Sequence, residues 1–408
     1  MRMKPPVLMV AYACDPQGTG EHWLGWGWAE QAAPRFAVDL ITTPRARAEV
    51  EKRSPALGIT PHFIEIPDWL RQGTDVLGGS WLRKLAWQRR AARLAESLHR
   101  ERRFALVHQT TFHTFRVPFL ATRLGVPSVW GPIAGGEHVP PGFGRCLGPA
   151  RWGEAARDRL NRLWLRLPAI QRSLRRARVL FVSNRTTLDF LPADCRAKAE
   201  VVPPNALRAE DEDWQAPPKK PEAAATFRLL YVGNCVATRA LPLVFEALRQ
   251  CDLGDFELSI VGAGPALGHW RRRAVALGLK HRVRFVGKVP HEQLQGYYAL
   301  ADVLVFPALR DSGGSALLEA MARQVPAICF DWGGPGEMIT EDCGFKVPVR
   351  SLEETVKSFA AALQRLKDEP ALRQTLARAA RDRALSVFGW AAKRRLLETT
   401  YARLIGGP

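Results

Sequence analysis

The chain has 408 residues, beyond the size at which single hydrophobic cores stop growing, so two domains are expected. Apolar residues at 47% and charged residues at 24% exclude a disordered or collagen-like chain, and no apolar run reaches the length of a membrane-spanning helix. The formal net charge of +19 is unevenly spread, with 31 basic against 17 acidic side chains in residues 1–205 and 28 against 23 thereafter. No zinc-finger, RNA-sheet or basic-zipper pattern accompanies that charge, so nucleic acid is not an expected partner.

In chain order, the apolar run from Val7 to Cys14 reads as a first buried strand rather than a secretion signal, because no small-residue cleavage pattern follows it. Further first-half strands are expected at Val38–Thr42, His62–Ile66, Leu106–His108, Pro127–Trp130, Val179–Ser183 and Ala199–Val202. A Gly-rich stretch after the first strand carries Gly18 and Gly20 and continues to Trp28; such a loop suits close approach of a phosphate or an acceptor. Arg83 to Arg103 and Arg151 to Arg178 interleave arginines with Trp, Leu and Ala at helical spacing. They read as solvated helix faces or as a patch for an anionic membrane surface. The seven cysteines are scattered and form no Cys-x-x-Cys, which reads as reduced thiols in a cytoplasmic protein.

An acidic then Pro- and Ala-rich stretch over 206–225 reads as a linker. It separates a domain at 1–205 from a second at 226–385, with a last helix at 386–408 that is expected to pack back on the first domain. Second-half strands are expected at Arg228–Val232, Glu257–Val261, Val283–Val286, Val303–Phe306, Ala327–Phe330 and Gly344–Val347. Strands alternating with helical stretches predict an α/β fold of two Rossmann-like, doubly wound parallel-sheet domains facing a central cleft.

The densest constellation follows Val303–Phe306: Arg310, Asp311, Ser312, Gly313 and Gly314, then a helical run containing Glu319. Strand, Gly-rich turn and helix start form an anion-binding arrangement, since free backbone N–H groups and the helix dipole face the incoming ligand. On a helix, residues eight apart lie about 12 Å apart along the axis and about 80° in rotation, so Asp311 and Glu319 could grip opposite ends of one extended ligand. A dinucleotide fingerprint at Gly262-Ala263-Gly264 lacks its third glycine, because Leu267 stands there.

Two acidic residues separated by seven positions resemble the motif of the retaining glycosyltransferases of family 4, the glycosyl transferases group 1 that include glycogen synthases and mannosyltransferases, of GT-B fold. The likeness runs in order through Pro203-Pro204-Asn205, Leu229 to Gly233, Leu258 to Pro265, Phe285-Val286-Gly287, Ala301-Asp302-Val303, Gly333 to Glu337 and Phe388-Gly389-Trp390. The resemblance implies that Glu319 holds the ribose hydroxyls, Asp311 a donor-sugar hydroxyl, and Gly313 and Gly314 the sugar and phosphates. It places Arg239 on the pyrophosphate and the base near Gly287 and Lys288, with Ser312, Asn234, Gly18 and Gly20 as further donor contacts. Asn234 and Ile133 stand where an arginine and a sugar-binding histidine are usual. Asn234 as a neutral donor, or Arg310 or another cation, are the candidates for the first role, and His113, His108, Glu137 and His138 are candidates for the second.

The expected activity is retaining transfer from a nucleoside-diphosphate sugar to a glycan or lipid-linked acceptor in polysaccharide or glycoconjugate synthesis. Neither a metal nor a cofactor is expected. The expected place is the cytoplasm, with attachment at the inner face of the cell membrane. A sugar-nucleotide epimerase and a non-catalytic nucleotide-sugar binder remain the alternatives.

Overall fold

The computed structural model describes residues 3–66, 80–214 and 226–406. They form two compact units, one made of Met1–Gly136, Asp158–Ala206 and Trp390–Pro408, the other of Glu137–Arg157 and Leu207–Gly389.

The first unit contains β1 (Pro6–Ala11), β2 (Ala37–Thr42), β3 (Ile59–Phe63), β4 (Leu106–Gln109), β5 (Ser128–Ile133), β6 (Val179–Val182) and β7 (Ala199–Val201). They pair in parallel in the order β3-β2-β1-β4-β5-β6-β7. In β1, Val7 and Met9 face one buried cluster and Leu8 and Val10 face another, so both faces of the strand are covered. Burial on both faces is why a parallel strand reads as an uninterrupted apolar run.

The second unit contains β8 (Phe227–Val232), β9 (Phe256–Val261), β10 (Val283–Gly287), β11 (Val303–Phe306), β12 (Ala327–Phe330) and β13 (Gly344–Val347), in the order β10-β9-β8-β11-β12-β13. Its strands divide their side chains in the same way: Leu229, Tyr231, Val303 and Val305 on one side, Leu230, Val232, Leu304 and Phe306 on the other. In both sheets the strand order reverses once, between β1 and β4 and between β8 and β11. Doubly wound sheets bind ligands at the carboxyl ends of the strands beside that reversal.

All thirteen expected strands form, with one displaced. The expected His62–Ile66 strand lies at Ile59–Phe63, because β2 ends at Thr42, whose register partner is Phe63. Ile64 and Ile66 are buried beyond the ladder, and Pro61 is tolerated because β3 is an edge strand.

Two boundaries differ from the sequence reading. Glu137–Arg157 belongs to the second unit, where Phe143 and Leu147 join its core. The acidic start of the expected linker also belongs there: Asp211 is 4% exposed and pairs with Arg323 at 2.7 Å. The Nη2 of Arg381 donates to the carbonyls of Glu212 and Trp214 at 3.0 and 2.9 Å. A run of acids thus acts as a clasp, and the Pro-rich remainder, 215–225, lies outside the described residues. As expected, the last helix, Trp390–Ile405, is part of the first unit, its Leu397 and Tyr401 lying in the core with Val7 and Met9.

Candidate active site

In the second unit the loop leaving β11 enters the helix Ser315–Ala322 through Gly314, whose φ of 85° is a conformation that side chains disfavour. A Cβ there would also meet the Phe306 ring at 3.3 Å. Asp311 accepts from the Gly313 amide at 2.9 Å through Oδ1, and its Oδ2 pairs with the Arg239 guanidinium. Arg239 closes the short turn Ala237–Arg239 after β8 and lies 5.0 Å over the Phe306 ring. The Leu309 amide donates to the Thr238 carbonyl at 2.9 Å, so the two loops beside the strand reversal are tied by backbone as well as charge. From the next loop, Gly334 donates to the Asp311 carbonyl at 2.9 Å. A Cβ on Gly334 would fall 2.4 Å from the Ser312 carbonyl, so this glycine is the seat under Ser312 and Gly313.

Glu319 lies in the same helix, and its Oε2 accepts from the Tyr298 hydroxyl at 3.0 Å. Burial, the leading cause, raises its pKa above the ordinary 4.5, and the charge of Asp211 adds to the rise; Tyr298, His291 and Arg323 oppose it. The helix is held by Arg323, which donates to the Glu319 carbonyl at 3.2 Å while pairing with Asp211. Arg310 points elsewhere: its fork meets both oxygens of Glu154, at 2.7 and 3.0 Å, so it is not a second cation beside Arg239.

Asn234 is exposed, and its carbonyl accepts from the Tyr231 hydroxyl at 2.9 Å. Gly287 ends β10, its carbonyl accepting from Gly262 at 2.8 Å, and Lys288 beyond it is exposed. The glycines of the partial dinucleotide fingerprint have a packing explanation. A Cβ on Gly262 would sit 1.9 Å from the Gly233 carbonyl, and one on Gly264 would sit 2.4 Å from that of Cys235.

In the first unit, Gly20 adopts φ 56° directly before the helix Glu21–Ala32, with open space where a Cβ would stand. A Cβ on Gly18 would meet that of His22 at 2.9 Å. The expected Gly-rich loop therefore ends at Gly20. Gly25 and Gly27 are helical, packed so closely against the Ala13 carbonyl and the Trp390 ring that neither position has room for a side chain. Beside the same strand reversal, after β4, Phe112 takes φ 62°, a costly conformation for an aromatic residue, and His113 follows it. The His113 amide donates to the Glu21 carboxylate at 2.8 Å, while the ring Nε2 is buried with no hydrogen-bond partner among the described residues. Burial lowers the pKa of His113.

Residues 212–383 match the family model described as glycosyl transferases group 1. An alpha-D-kanosaminyltransferase of Streptomyces kanamyceticus is 28% identical over 64% of this chain and 66% of its own length, just under two thirds. A D-inositol 3-phosphate glycosyltransferase of Kineococcus radiotolerans is 28% identical over 76% of this chain and 74% of its own. Among solved structures, a glycosyltransferase from Rickettsia africae superposes with a TM-score of 0.65 at 14% identity, over 99% of this chain and all of that one. The chain carries a group 1 glycosyltransferase domain. Its fold is GT-B, with two Rossmann-like parallel-sheet domains.

Within that domain the structure brings Arg239, Asp311, Ser312, Gly313 and Gly314 together, with Glu319 farther along the same helix. Gly287 and Lys288 lie at the edge strand, two strands from β8. Among the replacements considered for the histidine absent at Ile133, His108 is committed elsewhere. Its Nε2 donates to the Gly131 carbonyl at 2.8 Å, so its Nδ1 accepts from the Tyr401 hydroxyl at 2.6 Å. Glu137 is 4% exposed and belongs with the glycosyltransferase domain's unit, its carbonyl accepting from Arg157 at 2.7 Å; the His138 carbonyl accepts from the Trp332 indole at 2.7 Å. Sequence reasoning did not single out Tyr298, Arg323 or the seat role of Gly334. The glycine run at 333–336 was the one available signal.

Proposed function

We propose that the protein is a retaining glycosyltransferase that moves a sugar from a nucleoside-diphosphate sugar to a hydroxyl of a glycan or lipid-linked acceptor without a metal ion. The observation that carries the reading is the union, at the β8/β11 reversal, of a fixed guanidinium, a glycine-bearing helix start and a half-buried carboxylate four residues into that helix. The helix start and Arg239 suit a diphosphate; Glu319, a double acceptor when ionised, suits the two hydroxyls of a ribose.

Asp311 uses one N–H of Arg239, and a guanidinium has five, so the same cation can hold the carboxylate and a phosphate together. As the bond from the anomeric carbon to the diphosphate oxygen breaks, negative charge grows on that oxygen, and Arg239 with the helix start stabilises it. The acceptor oxygen bonds to the anomeric carbon on the face being vacated, and its proton passes to the departing diphosphate. Orientation and charge stabilisation are then the enzyme's contributions. Polysaccharide or glycoconjugate synthesis is the setting such a transfer serves.

The test is turnover. Purified protein incubated with a panel of nucleoside-diphosphate sugars and mixed glycan and lipid acceptors should release nucleoside diphosphate only when an acceptor is present. Acceptor-independent release with a changed sugar would favour an epimerase. Binding without consumption of any donor would favour a nucleotide-sugar binder.

A further inference from the structure

The helix Ala150–Arg166 and the turn after it carry the largest exposed apolar side chains in this region: Trp152 at 69%, Leu160 at 54%, Leu163 at 56% and Leu167 at 39%. At about 100° per residue these four fall within an arc of about 80°. Arg151, Arg159, Arg162 and Arg166, all exposed, occupy the adjoining arc of similar width. The opposite side is fixed inward, with Asn161 at 1% and Leu165 at 8% exposure. Asn161 donates to the Gly135 carbonyl at 2.8 Å and accepts from Arg116 at 2.7 Å, so the rotation of the helix is set by hydrogen bonds. Beside the same stripe lies a groove of about 590 Å³, floored by Leu85, Leu120 and Ile170 and rimmed by Arg89, Arg93 and Arg172.

Leucine held in water beside arginine does nothing for folding. An apolar stripe flanked by cations is the arrangement that lies in the headgroup layer of a bilayer, carbon inward and guanidinium at the lipid phosphates. We propose that this face docks on an anionic phospholipid bilayer, the Trp152–Leu167 stripe entering the headgroup region and the groove receiving an acyl chain. Charge complementarity selects the occupant: the charges in the adjoining arc are all arginine, and the groove is lined by Arg89, Arg93, Arg123 and Arg172 against Glu96. The proposal does not depend on the donor chemistry, and vesicle binding is read without any sugar present.

The experiment is co-sedimentation of the full chain with vesicles of phosphatidylcholine alone or mixed equally with phosphatidylglycerol, at low and high salt. Binding is expected to the mixed vesicles, weakened by salt. Arg159→Gln/Arg162→Gln/Arg166→Gln should lower it by about a hundredfold, since each basic residue near an anionic surface contributes about fivefold. Leu160→Gln/Leu163→Gln should lower it by at least about tenfold at either salt concentration. All five positions are exposed, so unchanged melting temperatures will separate these losses from unfolding. Equal binding to both vesicle types, or unchanged binding by the leucine variant, would overturn the proposal. So would a wild-type dimer in light scattering that the leucine variant dissolves, which would make the face a contact between copies of this chain.

Discussion

Asp311 and Arg239 neutralise one another before any ligand arrives, which separates their expected effects. Arg239→Ala removes the fixed cation and should weaken nucleoside-diphosphate binding by roughly tenfold or more, the scale of one charge-assisted contact. Asp311→Asn leaves the cation free of its carboxylate. Nucleoside-diphosphate affinity should hold or rise, while transfer falls because the donor-sugar hydroxyl loses its charged acceptor. Calorimetric titration with the diphosphate beside a transfer assay reads both. Glu319 adds a pH signature. Its folded pKa is raised above the ordinary 4.5 chiefly by burial, and the ionised form is the one that accepts two hydroxyls. Donor binding should therefore weaken as pH falls through the raised value, at a higher pH than an ordinary glutamate would give. Glu319→Gln should bind more weakly throughout and lose that pH dependence. Asp311 and Glu319 were legible as a spaced pair in the sequence, whereas Tyr298 was not, because a tyrosine on a helix of mixed polarity carries no mark of the carboxylate it will meet.

Which elements would form was written plainly in apolar runs, and the three strands β11, β12 and β13 fall at their expected ends because each is a four-residue run bounded by polar or turn residues. Composition misled over Asp211. Four consecutive acids followed by prolines look like a solvated linker, yet burial depends on Arg323 and Arg381, more than 100 residues away, and no local pattern encodes such a pairing. Breaking that buried pair by Asp211→Ala should cost about 3–5 kcal/mol, because Arg323 is left charged and buried. Chemical denaturation monitored on the glycosyltransferase domain checks this. The seat of the donor loop is likewise tertiary. Gly334→Ala forces a Cβ into the Ser312–Gly313 backbone, so the loop must shift; nucleoside-diphosphate binding should fall with only a modest change in melting temperature.

At the scale of the whole molecule, the first unit's stability is linked to acid through His108. Burial lowers its pKa to about 4, and Tyr401 and Gly131 use both ring nitrogens in the neutral form. An unfolded histidine titrates near 6.5, so this stabilisation is fully present above that pH and is lost as pH falls from about 6.5 to about 4. Its size is about 3 kcal/mol at most. His108→Gln should be less stable at neutral pH and should show a flatter acid limb in thermal unfolding of the first unit. The two-sheet architecture was legible because strands and helices alternate throughout, whereas the transfer of Glu137–Arg157 to the second unit was not, since Phe143 and Leu147 would suit any core. The donor site is the claim on which the rest turns, and it is tested most directly by thermal shift with a panel of nucleoside diphosphates and their sugars on wild type and Glu319→Ala. At least one nucleotide should raise the wild-type melting temperature and fail to raise that of the variant. No shift with any nucleotide, or an equal shift in both proteins, would contradict a ribose-binding role for Glu319 and with it the donor site.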